Sequence, residues 1–443
     1  MAETKQLADL LYDGLPAGTP GANAVTVSTT APSSPSEGDL WYDSSTGVKI
    51  IKVYNGVAWT RTNVVNPTLT NISGNILAGT STTLTLTGTE FLTSNLVVNF
   101  TQSSDSIDAD VTVTPTSDTS ATVTVPSSVY SNVTSGNSVT ISVRNSNGAS
   151  SNNSAVTASS LPSGGTVTTS GSYRIHTFTS SDSLSVPSGF STTAEFLVVA
   201  GGGGGAGYYG GGGGGGYRSS IAGETSGGGA SLESTINLAS NTTYTVTVGA
   251  GGTFSHHSDG VNPKGGDSSF IGGAVSITSN GGGGHDLATT SNFNGGSGAG
   301  GDGTNGPGSG TSGQGYSGGG GAINGITWYT AGGGGGAGGA GQTVGGQQYA
   351  GNGGAGKNSS ATGSSVNYAA GGGGGCWGRY STGYSGTAGG SSAVPSSNIA
   401  YGTDIASAPA NQGGGGAGQS SAAAGSYNGG SGGSGIVIIR YQI

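Results

Sequence analysis

Residues 196–220 read FLVVAGGGGGAGYYGGGGGGGYRSS. Four apolar residues run into a glycine block, Tyr208 and Tyr209 interrupt it, and seven consecutive glycines, 210–216, carry the chain to Tyr217. Glycine inside regular structure costs about 0.5–1 kcal/mol relative to alanine. The chain nevertheless holds 97 glycines, 82 of them after Ala200. Further blocks stand at 281–284, 318–321, 332–336, 371–375 and 413–416, separated by segments richer in Tyr, Asn, Ser and Trp. The fold of the C-terminal half turns on the backbone these blocks adopt.

Three familiar uses of glycine do not fit. Collagen needs a strict Gly-X-Y period with abundant proline, and neither is present. An arginine–glycine RNA-binding segment needs repeated arginines, but only Arg218, Arg379 and Arg440 follow Ala200. A flexible linker explains glycine but not the recurrence of AGGGGGAG-like blocks flanked by aromatics. An extended, polyproline-II-like polyglycine helix fits better. It has three residues per turn, rises about 3.1 Å per residue and makes no internal hydrogen bonds. Without Cβ atoms, neighbouring helices approach closely and pair their N–H and C=O groups laterally, so no buried backbone group is left orphaned. Seven residues then span about 20 Å, and the inter-block segments gather at the ends of the bundle.

Composition narrows the class. The 443 residues are only 32% hydrophobic and 7% charged, with a net charge of −9. This describes a Thr/Ser/Gly/Asn-rich β-protein better than a disordered chain, which usually carries higher net charge. Eleven Lys and Arg argue against nucleic acid, since neutralising phosphates needs clustered cations. Cys376 is alone, so no intrachain disulfide is expected. No uncharged apolar run approaches the roughly 20 residues of a membrane span. Residues 1–15 are too acidic and too weakly apolar for a secretion signal.

Four regions follow along the chain: 1–22, 23–65, 66–160 and 161–443. The first, opening MAETKQLADLLYDGL, places Leu7, Leu10 and Leu11 at helical spacing behind a Thr4 N-cap, which predicts a short docking helix. A Pro/Ser/Thr/Gly tract leads to GDLWYDSSTGVKIIKVYNGVAWT (38–60), alternating runs around two turns that read as a β-meander. Residues 66–160 hold six or seven short alternating strands broken by Gly, Pro, Asn and Asp, the spacing of an immunoglobulin-like sandwich. The last region opens with the strands YRIHTFT and EFLVVA and closes with GIVIIRY. The fold class expected is mainly β and multidomain: a short N-terminal helix, a small meander, an Ig-like β-sandwich, and a glycine-rich domain combining β-strands with a polyglycine II helix bundle.

Three of these pieces resemble known modules. GDLWYD (38–43), Lys52 to Gly56 and Trp59 are similar to a small module recurrent in bacteriophage tail-fibre and other virion proteins. PTLTNISGNILAGTSTTLTLTGTEF resembles the opening of IPT/TIG modules. The outline Y-x-IHTFT, EFLVVAGGGGG and GGSGIVIIRY resembles a glycine-rich domain of phage and bacterial surface proteins, over about 270 residues. In architecture more than in residues, it is similar to the adhesin tips of some T-even-like phages. These resemblances imply a virion protein, a tail fibre or adhesin. It would be attached N-terminally to other tail, neck or capsid proteins and would present the glycine-rich domain to a host-cell receptor or glycan. A slender fibre with modest apolar strips implies a homotrimer. The alternatives are a head-decoration or neck appendage without specific receptor binding, and a bacterial surface adhesin.

Candidate chemistry is sparse. GNGGAGKN (351–358) nearly matches a phosphate-binding loop, but Asn358 stands where Ser or Thr should hold magnesium. His256, His257 and Asp259, and the pair His285–Asp286, read as polar loop residues, and no metal site or cofactor is expected. Glu224, Glu233 and Asp404 are carboxylates that only the fold can bring together for glycoside hydrolysis. No convergent catalytic set is visible, so no enzyme is expected. The inter-block aromatics are more suggestive. Tyr208, Tyr209, Tyr217, Trp328, Tyr329, Trp377, Tyr380 and Tyr384, with Tyr316, Tyr401 and Tyr427, sit in or beside polar, turn-like segments. Tyr and Trp offer large contact area at low conformational cost and are favoured at binding hot spots. The first eight are candidate receptor-binding residues; the competing reading has them capping bundle ends or packing between glycine helices.

Overall fold

A computed structural model describes residues 25–45, 50–61, 66–92, 95–145, 148, 150–207, 209–254, 263–285, 290–324, 328–345, 349–377, 386–395, 405–420 and 428–443. The expected N-terminal helix with Leu7, Leu10 and Leu11 lies outside the described residues. The chain divides into two compact units, Met1–Ser159 and Ser160–Ile443.

The first unit holds two β-structures. Strands β1 (Val25–Ser28), β2 (Leu40–Asp43), β3 (Ile50–Tyr54) and β4 (Trp59–Arg61) form one sheet in chain order. The Pro/Ser/Thr/Gly tract, expected only as an extended linker, contributes β1, which pairs in parallel with β2. Three rings replace an aliphatic core: Trp59 lies 5.6 Å from Trp41 and 5.5 Å from Tyr54 between ring centroids. Lys52 Nζ sits 4.3 Å over the Trp41 ring and bonds Asp43 Oδ2 at 2.9 Å. The hydrogen bonds from Lys52 and Ser45 hold the Asp43 carboxyl down at about 2.

Strands β5 (Thr68–Ser73), β6 (Thr83–Thr89), β7 (Leu96–Gln102), β8 (Ile107–Val113), β9 (Ser120–Thr124), β10 (Ser138–Arg144) and β11 (Ser154–Thr157), with the one-turn helix α1 (Ser127–Tyr130), build an Ig-like sandwich. One sheet is ordered β5-β6-β9 and the other β11-β10-β7-β8. Period-2 alternation explains it: Leu84 and Leu86 of β6, Leu96, Val98 and Phe100 of β7, and Val139, Ile141 and Val143 of β10 all point into one core.

The second unit adds β12 (Thr166–Ser170), β13 (Tyr173–Phe178), β14 (Asp182–Val186), β15 (Thr192–Val199), β16 (Tyr217–Ser219), β17 (Ile236–Leu238), β18 (Thr242–Thr247), β19 (Ser268–Gly272), β20 (Val275–Ser279), β21 (Ala322–Asn324), β22 (Trp328–Thr330), β23 (Lys357–Ser359), β24 (Val366–Tyr368), β25 (Cys376–Trp377) and β26 (Ile436–Gln442). The order β12-β13-β26-β15-β16 seats the final strand between YRIHTF and EFLVV. A second sheet is ordered β14-β18-β19-β20.

Above these sheets stands the glycine lattice. Along 210–216 the donors return to the same neighbour at every third residue. Gly211 and Gly214 bond Gly332 and Gly335, Gly212 and Gly215 bond Gly416 and Gly413, and Gly213 and Gly216 bond Gly283 and Asn280. That recurrence is the threefold screw of a polyglycine II helix. Its carbonyls accept from three more segments: from Ala200 and Gly203, from Ser297 and Gly300, and from Gly372. The six neighbours also bond one another around a closed ring. The links are Gly282→Gly201, Gly283→Ser297, Gly335→Gly298, Gly334→Gly372, Gly415→Ala370 and Gly416→Gly203, each N–H to C=O at 2.8–2.9 Å. Residues 210–216 are therefore the centre of a hexagonal array of rods. All of 210–216 is buried, and none of these glycines has positive φ. Glycine serves here for the missing Cβ and not for a left-handed turn: a Cβ on Gly213 would strike the Ser297 carbonyl oxygen and come within 2.7 Å of that of Gly298.

Candidate functional site

The directions of the rods sort the connecting segments onto two ends. Ala200 pairs with Gly216 and Gly203 with Gly213, so 200–206 and 210–216 are antiparallel. β15, β16 and β20 therefore meet the rods at one end, the sheet end. Residues 206–207 and 209–210 lie at the other, the loop end. The same pairing logic brings 285 and 290–293, 301–308, 321–324 and 328–331, 342–345 and 349–350, 375–377 and 386, and 418–420 and 428–429 to the loop end. At the sheet end the links are strands or tight turns such as 311–315, 337–339 and 410–412.

This sorting separates the candidate aromatics. Tyr209, Trp328, Tyr329 and Trp377 fall at the loop end. There β21, β22 and β25 form a small sheet whose register sets Tyr329 opposite both Ile323 and Trp377. Tyr329 is half-buried and Ile323 exposed. Tyr208, Tyr380 and Tyr384 lie outside the described residues. Tyr217 is corrected: it is fully buried at the sheet end, in a cluster with Ile175, Leu197, Ile436 and Ile438. Its hydroxyl donates to Glu224 Oε2 at 3.0 Å, and burial beside that carboxylate pushes the phenol far up. The rise per residue explains the contrast. Tyr209 and Tyr217 flank one seven-residue rod and so stand about 25 Å apart along it, a signal already present in the sequence.

At the centre of the loop end the reading of His285 as a polar loop residue is corrected, because the structure buries it. His285 ends the rod that starts at Asn280, and its fully buried ring lies between Tyr209 (centroids 5.3 Å apart, 8° between planes) and Phe293 (4.4 Å). Its Nε2 is 3.3 Å from Asp302 Oδ2, close but off the hydrogen-bond line. Burial works to raise the Asp302 pKa; His285 and the donors of Thr304 and Asn305 outweigh it and hold the carboxyl well below its usual range. Burial, then Asp302 and Tyr329, raise the Tyr209 phenol. With the imidazole enclosed, this cluster braces three links against one another.

The other candidates are tied into the scaffold. Glu224 accepts from Tyr217, Ser219, Ser359 and Ser360, while Glu233 pairs with Arg218 at 2.6 Å and accepts from Ser226. Asp404 lies outside the described residues, as do His256, His257, Asp259 and Asp286. Cys376 is buried, which pushes its thiol up. Among the described residues, no group of three His, Cys, Asp or Glu side chains is placed to hold a metal ion, and no helix is long and apolar enough to cross a membrane.

A rod lattice with strands at one end and aromatic-bearing links at the other defines a glycine-rich β-domain. The family model of the glycine-rich domain matches residues 176–442, more than half of the chain, and the chain belongs to that family. No curated protein and no solved structure was found to match it.

Proposed function

We propose that this protein is a virion attachment protein, a phage tail fibre or adhesin that presents the loop end of its glycine lattice to a receptor on the host-cell surface. One observation carries the reading: the links bearing Tyr209, Trp328, Tyr329 and Trp377 converge on one end of a framework whose backbone is hydrogen-bonded on every side. A rigid scaffold that holds its interchangeable links on one face suits recognition, because loop sequence varies there at little cost to the fold. The resemblance of GDLWYD and its neighbours to virion modules, and of the 66–160 region to IPT/TIG modules, supports placement in an external fibre. In this reading residues 1–22, with Leu7, Leu10 and Leu11, dock to another virion protein. The fibre is a homotrimer, non-enzymatic, and binds neither nucleic acid nor membrane.

Antibody labelling followed by electron microscopy tests it. The label should decorate a fibre that contacts cells, and the antibody should block adsorption. Decoration of heads or necks with adsorption intact identifies a structural appendage and overturns the receptor reading. Absence from particles overturns the virion reading.

A further inference from the structure

Beside the aromatic sheet, residues 342–345, 349–350 and 352 line a groove of about 360 Å³. Val344 and Ala350, both buried, floor it, and Gln342, Thr343, Tyr349 and Asn352 rim it. Residues 346–348 lie outside the described residues.

The rim is oriented by the lattice beneath. A backbone N–H can only donate, so a side-chain amide that meets one must present its oxygen and turn its NH₂ away. Asn352 N donates to Gln342 Oε1 at 3.1 Å, and Thr387 N donates to Asn352 Oδ1 at 2.9 Å. Gly320 N donates to Thr343 Oγ1 at 3.0 Å, which leaves the hydroxyl hydrogen for another acceptor. Three exposed polar side chains thus keep their donors for solvent or ligand, and their acceptors are already used to hold them still. Tyr349, 56% exposed, adds an aromatic surface, and among the described residues no charged side chain lines the groove.

We infer that this groove binds an uncharged sugar unit of a glycan. A pyranose has the complementary make-up: hydroxyl oxygens that accept from the two amides and the threonine, and an apolar C–H face to lie on the tyrosine ring. Fixing the donors before binding removes part of the ordering cost. The absence of Lys and Arg disfavours phosphate, sulfate or sialic acid, whose buried charge needs a cation. The inference names the ligand class for the attachment reading and rests on that reading only for its biological role.

Saturation-transfer NMR on the purified full-length protein tests it, with glucose, galactose, mannose, N-acetylglucosamine and lactose as probes. Transfer to at least one sugar is expected. Tyr349→Ala should reduce it at least about fivefold, as removal of an aromatic anchor does, and Tyr349→Phe should preserve it. Asn352→Asp keeps the oxygen that meets Thr387 N but removes the NH₂, and should also weaken transfer. No transfer from any of the five sugars, or equal transfer in Tyr349→Ala, overturns the sugar site. A protein that loses sugar transfer but still competes for cell adsorption overturns this site alone. Sugar transfer without such competition overturns the attachment reading alone.

Discussion

Arg440 Nε donates to Glu195 Oε2 at 2.7 Å across 245 residues of sequence. The two face each other in the register of β15 and β26, each with only 12% of its side chain exposed. Glu195 Oε1 also accepts from Ala222 N, and the Arg440 guanidinium lies 4.6 Å over the Tyr173 ring and donates to Ser360 O. The pair therefore ties the strand that enters the lattice to the strand that leaves it.

Breaking a pair this buried leaves one charge without its partner, which typically costs about 3–5 kcal/mol. Arg440→Leu and Glu195→Leu should each destabilise by about 3 kcal/mol. The double variant should lose much less than the sum, because the second substitution removes the orphaned charge. Denaturant unfolding of the four proteins measures the coupling.

Acid should weaken the second unit through His176. Its buried ring donates from Nδ1 to Gly164 O at 2.8 Å, since a carbonyl can only accept, and Nε2 then accepts from the Tyr441 hydroxyl at 3.1 Å. Burial, with Arg174 nearby, lowers its pKa from the ordinary 6.5. The unfolded chain therefore binds a proton that the folded chain refuses. Stability from this group is complete above 6.5 and falls as the pH drops below it, by up to about 1.4 kcal/mol per pH unit. His176→Asn, which retains a donor for Gly164, should flatten that slope in melting curves taken between about pH 5 and about pH 8.

Much of this architecture was legible in the sequence because it follows local rules. Alternation marked the strands of the sandwich, and EFLVV and IVIIRY read as strands before they were seen to pair. The rods were legible because glycine repeated without proline, arginine or period leaves few other backbones. The route of the chain through the lattice was not legible. Every polyglycine rod offers the same N–H and C=O groups, so the blocks themselves do not say which sits at the centre or which neighbours touch. Tyr217 was misread for that reason, since beside a glycine block it looks like Tyr209. The stack of Tyr209, His285 and Phe293 escaped notice because it joins two links far apart in sequence.

Receptor contact should depend on the loop end and not on the sheet end. Tyr329→Ala should leave the melting temperature within a few degrees of the parent and lower competition for cell adsorption about tenfold or more, the loss expected of a hot-spot aromatic. Tyr217→Ala, at a fully buried position, should cost about 3–5 kcal/mol, as large-to-small core substitutions do. Comparing the two separates recognition from packing: adsorption unaffected in Tyr329→Ala would remove that ring from the receptor surface.

The hydrogen-bonded glycine lattice is the central claim, and one added methyl group tests it. At Gly213 a Cβ meets the Ser297 carbonyl and must push apart two rods of the central array; at Gly306 nothing lies within 4 Å, and φ is not in the left-handed range. Gly306→Ala should therefore be neutral or stabilise by about 0.4–1 kcal/mol through the unfolded chain. Gly213→Ala should lower stability by about 1–3 kcal/mol or more, the cost of overpacking a closed interior. Thermal unfolding of the two variants beside the parent is the measurement: a clear fall in melting temperature for Gly213→Ala alone is the predicted result. A Gly213→Ala protein that melts with or above the parent would contradict the lattice.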